Sequence, residues 1–394
     1  MLRIIHTADV HLGARHDDMG EQAAAQRERQ FAAFSRAVDL ALVEKVDLFL
    51  IAGDLFDSNV QPRRSAERVA AELKRLVDAR IRAVLIPGTH DVYDRASIYR
   101  AYDLATMAGS TADDDFITIL RPDVPYVHLP ACDVIVHGRV FATKRAPTSP
   151  LAGFTADIDG IAATWRIGMV HGSVAIPGKT DRDEVVITTD EIAASGLDYL
   201  ALGHWHSAQI SKAGDVTYAY AGAPEAVALD QDRAGKVLLI ECSTEGPNRT
   251  VKVEERTVGA TMFEKLELDA SRITSQPTLV STLTGKADPD LVLDVRLVGV
   301  RPDELDIDTD EVEMALARSF LKVRVRDVSK PALTEGALPS PDTIAGAFIR
   351  DLEARIAALE AGPEPSAADT AKAAELRDAL RLGRLLLAGH EVSL

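Results

Sequence analysis

The chain opens on an apolar run, LRIIHTA at 2–8, that reads as a buried strand. Over residues 22–45 the period changes: Phe31, Phe34, Val38 and Leu42 recur at three- and four-residue spacings, which puts them on one face of a long amphipathic helix. VDLFLIAG (46–53) is almost continuously apolar and ends in glycine, as a parallel strand covered on both faces does. Pro62 opens a second helix, with Val69, Leu73 and Leu76 in its stripe. RAVLIPG (82–88) is a third strand, and strand-like runs return at 133–137, 165–171, 198–203, 216–221 and 236–241. Strands alternating with helices, then shorter strands with tight links, predict an α/β sandwich with some antiparallel edges.

Near residue 245 the character changes. STEGPNRT (243–250) has the composition of a loop. Beyond it come FEKLELDAS (263–271), expected as a helix-like stretch, then LVLDVRLVGV (291–300), an acidic helix over 309–319 and FLKVRVRDV (320–328). That order suggests a small α+β domain. After KPALTEGALPSP (330–341), Ile344, Phe348, Leu352, Ile356 and Leu359 form one apolar stripe, which predicts the first helix of a hairpin. GPEPS (362–366) breaks it, and Ser366 with Asp369 is spaced as a capping box for a second helix bearing Leu376, Leu380, Leu386 and Leu387. The stripe serves equally to pack the hairpin on its own domain or to dock a partner. The expected parts are 1–245, 246–335 and 336–394, with no internal repeat.

The composition is that of a globular protein: 46% hydrophobic residues and a mean hydropathy near zero. No apolar run reaches the ~20 residues of a membrane span, and MLRIIHTADVH lacks the regions of a signal peptide. Cys132 and Cys242 make no disulfide framework and no CxxC pair. A cytoplasmic enzyme is expected. The net charge of −17 argues against broad electrostatic attraction to nucleic acid, so any DNA must be gripped locally or held by a partner.

Five short motifs carry chemistry: Asp9-Val-His11, Gly53-Asp54-Leu55-Phe56-Asp57, Gly88-Thr89-His90-Asp91, His171 in MVHGS, and Gly203-His204-Trp205-His206. Any one alone is common by chance. Yet each directly follows a strand-like run, and strand carboxyl ends in an α/β sheet share one rim. The motifs hold five of the ten histidines, which random scatter would rarely produce. A mixed Asp and His set suits manganese, iron or zinc better than magnesium or calcium. Asp54 stands mid-order, where its two oxygens can bridge a metal pair that clamps a phosphoryl group.

HTADVHLG, IAGDLFDS, IPGTHD and ALGHWH resemble the calcineurin-like metallophosphoesterase superfamily. The HLG after the first motif, GDLFD, and DYLALGHWHSAQ followed by YAGAPE are similar to its SbcD-like DNA repair exonuclease branch. The likeness covers residues 1–245; the later segments resemble more weakly that branch's capping domain and partner-binding tail. It implies an α/β/β/α sandwich with a small α+β cap and a C-terminal helical hairpin. It also implies two metal ions, most simply Mn2+, in a DNA nuclease. The implied partners are DNA, an SbcC-like coiled-coil ATPase on the C-terminal tail, and a second copy in a homodimer, with no membrane.

On this resemblance Asp9, His11, Asp54 and His206 hold one metal, and Asp54, the Thr89 position, His171 and His204 the other. His90 is the general acid, and Asp57 orients it, unless Asp57 merely caps its turn. Asp91 reads as structural. The superfamily has asparagine where this chain has Thr89, a shorter, hydroxyl-bearing residue, so a looser second site is expected. Arg15, Arg139, Lys144 and Arg145 either contact DNA phosphates or lie on solvated loops, and Asp113–Asp115 reads as a solvated turn. Trp205 either walls the site or packs beneath it. Two alternatives stay open: a phosphoesterase of cyclic nucleotides or phosphomonoesters, and a weakly active metal-binding structural subunit.

Overall fold

The computed structural model describes residues 1–16, 22–111, 114, 116–180, 183–226, 231, 233–246, 248–302, 305–331, 339–361 and 366–387. Its compact units are Met1–Phe263 and Glu264–Leu394. In the first, β1 (Leu2–Thr7), β2 (Leu48–Ala52), β3 (Arg82–Ile86) and β4 (Ile117–Ile119) run parallel. Between them lie α1 (Ala23–Glu44), α2 (Arg63–Asp78) and the short α3 (Ile98–Ala101) and α4 (Leu104–Met107). Next come β5 (Tyr126–Leu129), β6 (Val134–Gly138), β7 (Trp165–His171), the two-residue strands β8 (Ser173–Val174) and β9 (Val186–Ile187), and α5 (Thr189–Ala194). The unit is completed by β10 (Tyr199–Gly203), β11 (Gln209–Ala213), β12 (Val216–Tyr220), β13 (Lys236–Glu245) and β14 (Asn248–Thr257). One sheet has the order β14-β13-β1-β2-β3-β4 and the other β11-β12-β10-β7-β6-β5, with β5, β11, β13 and β14 antiparallel to their neighbours.

Period-two alternation builds the layers. Ile4, Leu48 and Leu50 point between the sheets, where they meet Val136, Ile167, Met169 and Tyr199. Ile5, Phe49 and Ile51 point the other way, onto Phe34, Val38, Val69, Leu73 and Leu76 of the two long helices. The second sheet's outer face, with Leu200, Leu202 and Tyr218, is covered by Ile192 of α5 and by Leu151. The result is the expected α/β/β/α sandwich. Burial of a side chain such as Phe49 contributes about 2–3 kcal/mol, and its truncation to alanine would cost about 3–5 kcal/mol.

The STEGPNRT stretch departs from expectation. It belongs to a β-hairpin, with β13 running to Glu245 and β14 resuming at Asn248 as the edge of the first sheet. Its polar composition reflects an exposed edge strand rather than a free loop. FEKLELDAS is likewise a strand, β15 (Met262–Asp269). Its Leu266 and Leu268 alternate with exposed Lys265, Glu267 and Asp269, so period two outweighs the helix-forming Glu and Lys.

In the second unit β15 joins a three-stranded sheet with β16 (Asp288–Val298) and, after the short β17 (Val300–Arg301), β18 (Phe320–Asp327). Here α6 (Gln276–Thr284) and α7 (Thr309–Leu316) share a core through Leu279, Leu283, Val312 and Leu316 with Leu293, Val295 and Val323. A short β19 (Lys330–Pro331) pairs with β17. The hairpin helices are α8 (Ile344–Glu360) and α9 (Ala367–Leu387), and Ser366 Oγ accepts the Asp369 N–H at 3.1 Å. The stripe is shifted from its expected register: Ile349, Leu352 and Ile356 are buried, whereas Ile344 is 84% exposed. Most of 330–341 and 362–366, and Asp113 and Asp115, lie outside the described residues.

Candidate metal centre

The carboxyl ends of β1, β2 and β3 in one sheet, and of β7 and β10 in the other, converge on one rim. The turns after β1 and β2 zip together through Asp9 N to Gly53 O (3.1 Å), His11 N to Asp54 O (3.0 Å) and Leu12 N to Leu55 O (3.0 Å). The two sheets are cross-tied: the His204 N–H donates to the Asp9 carboxylate at 2.8 Å, and His171 Nδ1 donates to the Ala52 carbonyl at 2.9 Å. Gly53, at φ 91°, has no room for a side chain, since a Cβ would fall 2.3 Å from His171 Nδ1. Asp9, His11, Asp54 and His204 themselves adopt left-handed backbone, at φ 53°, 50°, 51° and 98°. Outside glycine, Asp and His are among the residues that enter this region most readily.

Asp9, His11 and His206 each bring one ligand atom within 4.8 Å of the others, as do Asp9, Asp54 and His171, and also His11, Asp57 and His90. Nε2 of His11 and Nε2 of His206 face each other at 3.1 Å. Asp54 is the hub. Its Oδ2 lies 3.1 Å from His171 Nε2 and 3.8 Å from His11 Nε2, and its Oδ1 accepts the His90 N–H at 2.8 Å. The Thr89 hydroxyl approaches Asp54 Oδ2 at 3.5 Å. His204 sits edge-on to His171 with ring centroids 5.4 Å apart, outside those three groups.

The electrostatics are those of a buried mixed cluster. Burial pulls the His171 imidazole down, but the charges of Asp54 and Asp9 outweigh it and raise the group to about 10. Burial likewise opposes His11, and Asp57, Asp54 and Asp9 hold it above its usual value. Asp54 is driven the other way: burial would raise it, and His171 and His11 bring it well below the carboxylate range. Burial lowers His204, helped by repulsion from His171, and lowers His206.

Metal ions fit this donor set. Buried carboxylates require cations, and nitrogen with carboxylate oxygen is the donor mixture of first-row divalent ions. The buried His171 Nε2 is within ion-pair distance of Asp54 yet has no hydrogen-bond partner of acceptable geometry. With Nδ1 committed to Ala52, that nitrogen is oriented as a ligand would be.

His90 stands at the mouth, with 43% of its side chain exposed. Its Nδ1 donates to the Asp57 backbone carbonyl at 3.0 Å and is 3.6 Å from the Asp57 carboxylate. The carboxylate is closer to His11, at 3.2 Å from Nδ1. Asp57 thus serves both imidazoles, one through its main chain. Asp91 is structural, as expected: buried, it accepts from Gly88 N (2.7 Å), Phe56 N (3.1 Å) and the Tyr99 hydroxyl (2.6 Å). Trp205 packs, stacking on Tyr220 at 5.1 Å and donating to Ser173 Oγ at 3.0 Å. Arg139 is drawn inward, donating to the Pro150 carbonyl at 2.7 Å beneath Phe154, whereas Arg15, Lys144 and Arg145 are exposed. Two contacts had no sequence signal: the Ala52 carbonyl on His171, and Gln231, whose amide nitrogen lies 2.6 Å from His206 Nδ1.

The calcineurin-like phosphoesterase family matches residues 2–208. Over 264 residues the chain is 29% identical to the DNA double-strand break repair protein Mre11 of Aeropyrum pernix, covering 65% of this chain and 62% of that one. It is 24% identical over 285 residues to the uncharacterized metallophosphoesterase YhaO of Bacillus subtilis, covering 71% and 65%. With the SbcD component of the nuclease SbcCD of Escherichia coli it shares 26% identity over 302 residues, covering 70% and 73%. The chain therefore spans just under two thirds of the first two relatives. No helix of the described residues is long and apolar enough to cross a membrane. Because the family match takes in more than half the chain and every turn that bears a candidate ligand, this protein belongs to the calcineurin-like phosphoesterases, hydrolases with a dinuclear metal site.

Proposed function

We propose that this chain is a manganese-dependent DNA nuclease, the hydrolytic component of a cytoplasmic repair complex with an SbcC-like coiled-coil ATPase. The observation that carries the reading is the convergence of Asp9, His11, Asp54, His171 and His206 on one rim, with His90 at its mouth. Asp9, His11, Asp54 and His206 would hold one ion, and Asp54, Thr89, His171 and His204 the second. Bound there, the pair would supply Lewis-acid polarisation of a phosphoryl group and a nucleophile at neutral pH. His90, held at Nδ1 by the Asp57 carbonyl, presents Nε2 to a leaving oxygen, a general-acid task suited to imidazole near pH 7.

The choice of DNA is supported by the names of the relatives, a DNA double-strand break repair protein and a component of a nuclease. On this reading the unit Met1–Phe263, which takes in β14 beyond the expected boundary at 245, carries catalysis, the α+β part that follows it to about residue 335 caps the substrate, and 336–394 dock the ATPase. The test is manganese-dependent cleavage of duplex and single-stranded DNA by the purified chain. Asp54→Asn should abolish it, while His90→Ala should cut turnover and retain metal. Normal binding of two manganese ions by Asp54→Asn would defeat the assignment. The net charge of −17 favours a second reading, hydrolysis of small phosphoesters. Turnover of cyclic nucleotides with intact DNA would select it.

A further inference from the structure

We propose that Gln231 is a positioning residue that selects the tautomer of His206, and with it whether Nε2 is free to bind an ion. The inference rests on the reading of this rim as a metal centre. A neutral imidazole carries one N–H, and the hydrogen bond made by one ring nitrogen determines whether the other is a ligand. His171 and His11 meet this requirement with oxygens that only accept: the Ala52 carbonyl at 2.9 Å and the Asp57 carboxylate at 3.2 Å, each on Nδ1. Both contacts retain a hydrogen on Nδ1 and turn Nε2 inward.

His206 is different. Its Nδ1 partner is a carboxamide, which offers a donor on one side and an acceptor on the other. The amide nitrogen is the nearer atom, at 2.6 Å, which matches a hydrogen on His206 Nε2 and withholds that nitrogen from an ion. A half-turn about the last side-chain torsion brings the oxygen to Nδ1, places the hydrogen there and releases Nε2. That torsion is soft and nearly two-fold, so one side chain serves both states.

The segment bearing Gln231 is tied to His206 by its main chain as well. Ala223 N donates to the His206 carbonyl at 3.1 Å, and Ala223 O accepts from Gly235 N at 2.8 Å. Between those anchors the buried Glu225 accepts N–H groups from Ala226 (3.1 Å), Ala260 (2.7 Å) and Thr261 (3.2 Å), with the Arg36 guanidinium 3.9 Å away. Gln231 thus lies in sequence between two main-chain anchors, Ala223 and Gly235.

The experiment compares the full chain with Gln231→Glu, an acceptor-only partner, and Gln231→Leu, which makes no hydrogen bond. Manganese is titrated by calorimetry, and imidazole nitrogen-15 spectra are taken without metal. Leucine should weaken one of the two sites about tenfold or more, the scale of losing a ligand's outer partner. Glutamate should match or exceed the native affinity and show His206 protonated at Nδ1. Coincident isotherms for the three proteins overturn the proposal, as does a Glu variant whose His206 keeps its hydrogen on Nε2. Should leucine lower the thermal midpoint of the metal-free chain, the Glu spectrum still decides. A native chain that binds no manganese overturns this inference together with the functional reading, whereas two native sites unmoved by either variant overturn the inference alone.

Discussion

His171 Nε2 lies 3.1 Å from Asp54 Oδ2, and the same ring donates its Nδ1 hydrogen to the Ala52 carbonyl. One imidazole therefore spans the two sheets and presents its remaining nitrogen to the carboxylate at the hub of the site. In the metal-free chain the charges of Asp54 and Asp9 hold this ring protonated far above neutral pH, at about 10.

That proton must leave when an ion takes Nε2. Manganese binding at pH 7 should therefore release at least one proton, and apparent affinity should rise roughly tenfold per pH unit per proton up to the His171 value. Calorimetry in two buffers of different ionisation enthalpy measures the release. Buffer-independent heats would exclude His171 as a ligand.

Thr89 offers a hydroxyl on a side chain that is stiff at χ1, 3.5 Å from Asp54 Oδ2. The site that includes it should be the weaker one. Thr89→Asn, with an amide oxygen that reaches further, should tighten that site on the order of tenfold and raise hydrolysis at low manganese. Identical two-site isotherms for the native and Thr89→Asn chains would count against it.

Acid should destabilise the first unit for a reason separate from its metals. Burial depresses His6 to about 3 and His137 to about 4, against 6.5 in the unfolded chain. Below pH 6.5 the unfolded state binds protons that the native state refuses, so stability falls as pH falls, until the folded values are reached. His137 contributes up to roughly 3 kcal/mol of this loss. His204 and His206, also lowered, add to the slope, so the informative quantity is a difference. His137→Asn should flatten the dependence of the metal-free thermal midpoint on pH between 6.5 and 4; an unchanged slope would show that His137 is protonated in the fold.

The terminal helices pack on each other. Gly383 leaves space for Phe348, since a Cβ there would sit 2.2 Å from its ring, and Arg384 pairs with Glu353 at 2.5 Å. Ile344, Leu386 and Leu387 remain exposed, at 84%, 55% and 46%. If the proposed function holds, removal of residues 340–394 should leave basal diesterase activity intact and abolish association with the proposed ATPase. A collapsed thermal transition in the truncated chain would assign the hairpin to this protein's own core.

The strands that deliver the ligands were legible because each is an apolar run buried on both faces, such as LFLIA in β2. The edges were not. β11 and β14 are largely exposed and carry Lys212, Arg249, Lys252, Glu254 and Glu255, so they lack the apolar signal of a strand. FEKLELDAS misled because Glu and Lys favour helices, while its leucines alternate with a period of two. Ligand candidates announced themselves by residue type and position after strands. Their supports did not: a main-chain carbonyl at Ala52 has no side-chain identity, and Gln231 lies 25 residues from the imidazole it touches.

Four of the site's residues, Asp9, His11, Asp54 and His204, hold left-handed backbone, a conformation that costs a non-glycine residue about 1 kcal/mol or more. Glycine would relax all four positions and erase the donors in the same stroke. Yet the same carboxylates fasten the fold: Asp9 accepts the His204 N–H across the sheets, and Asp54 accepts the His90 N–H. Losing those buried partners costs more than the relaxed backbone returns. A copy of this chain released from its reaction would therefore still be held to its two aspartates by their part in the fold.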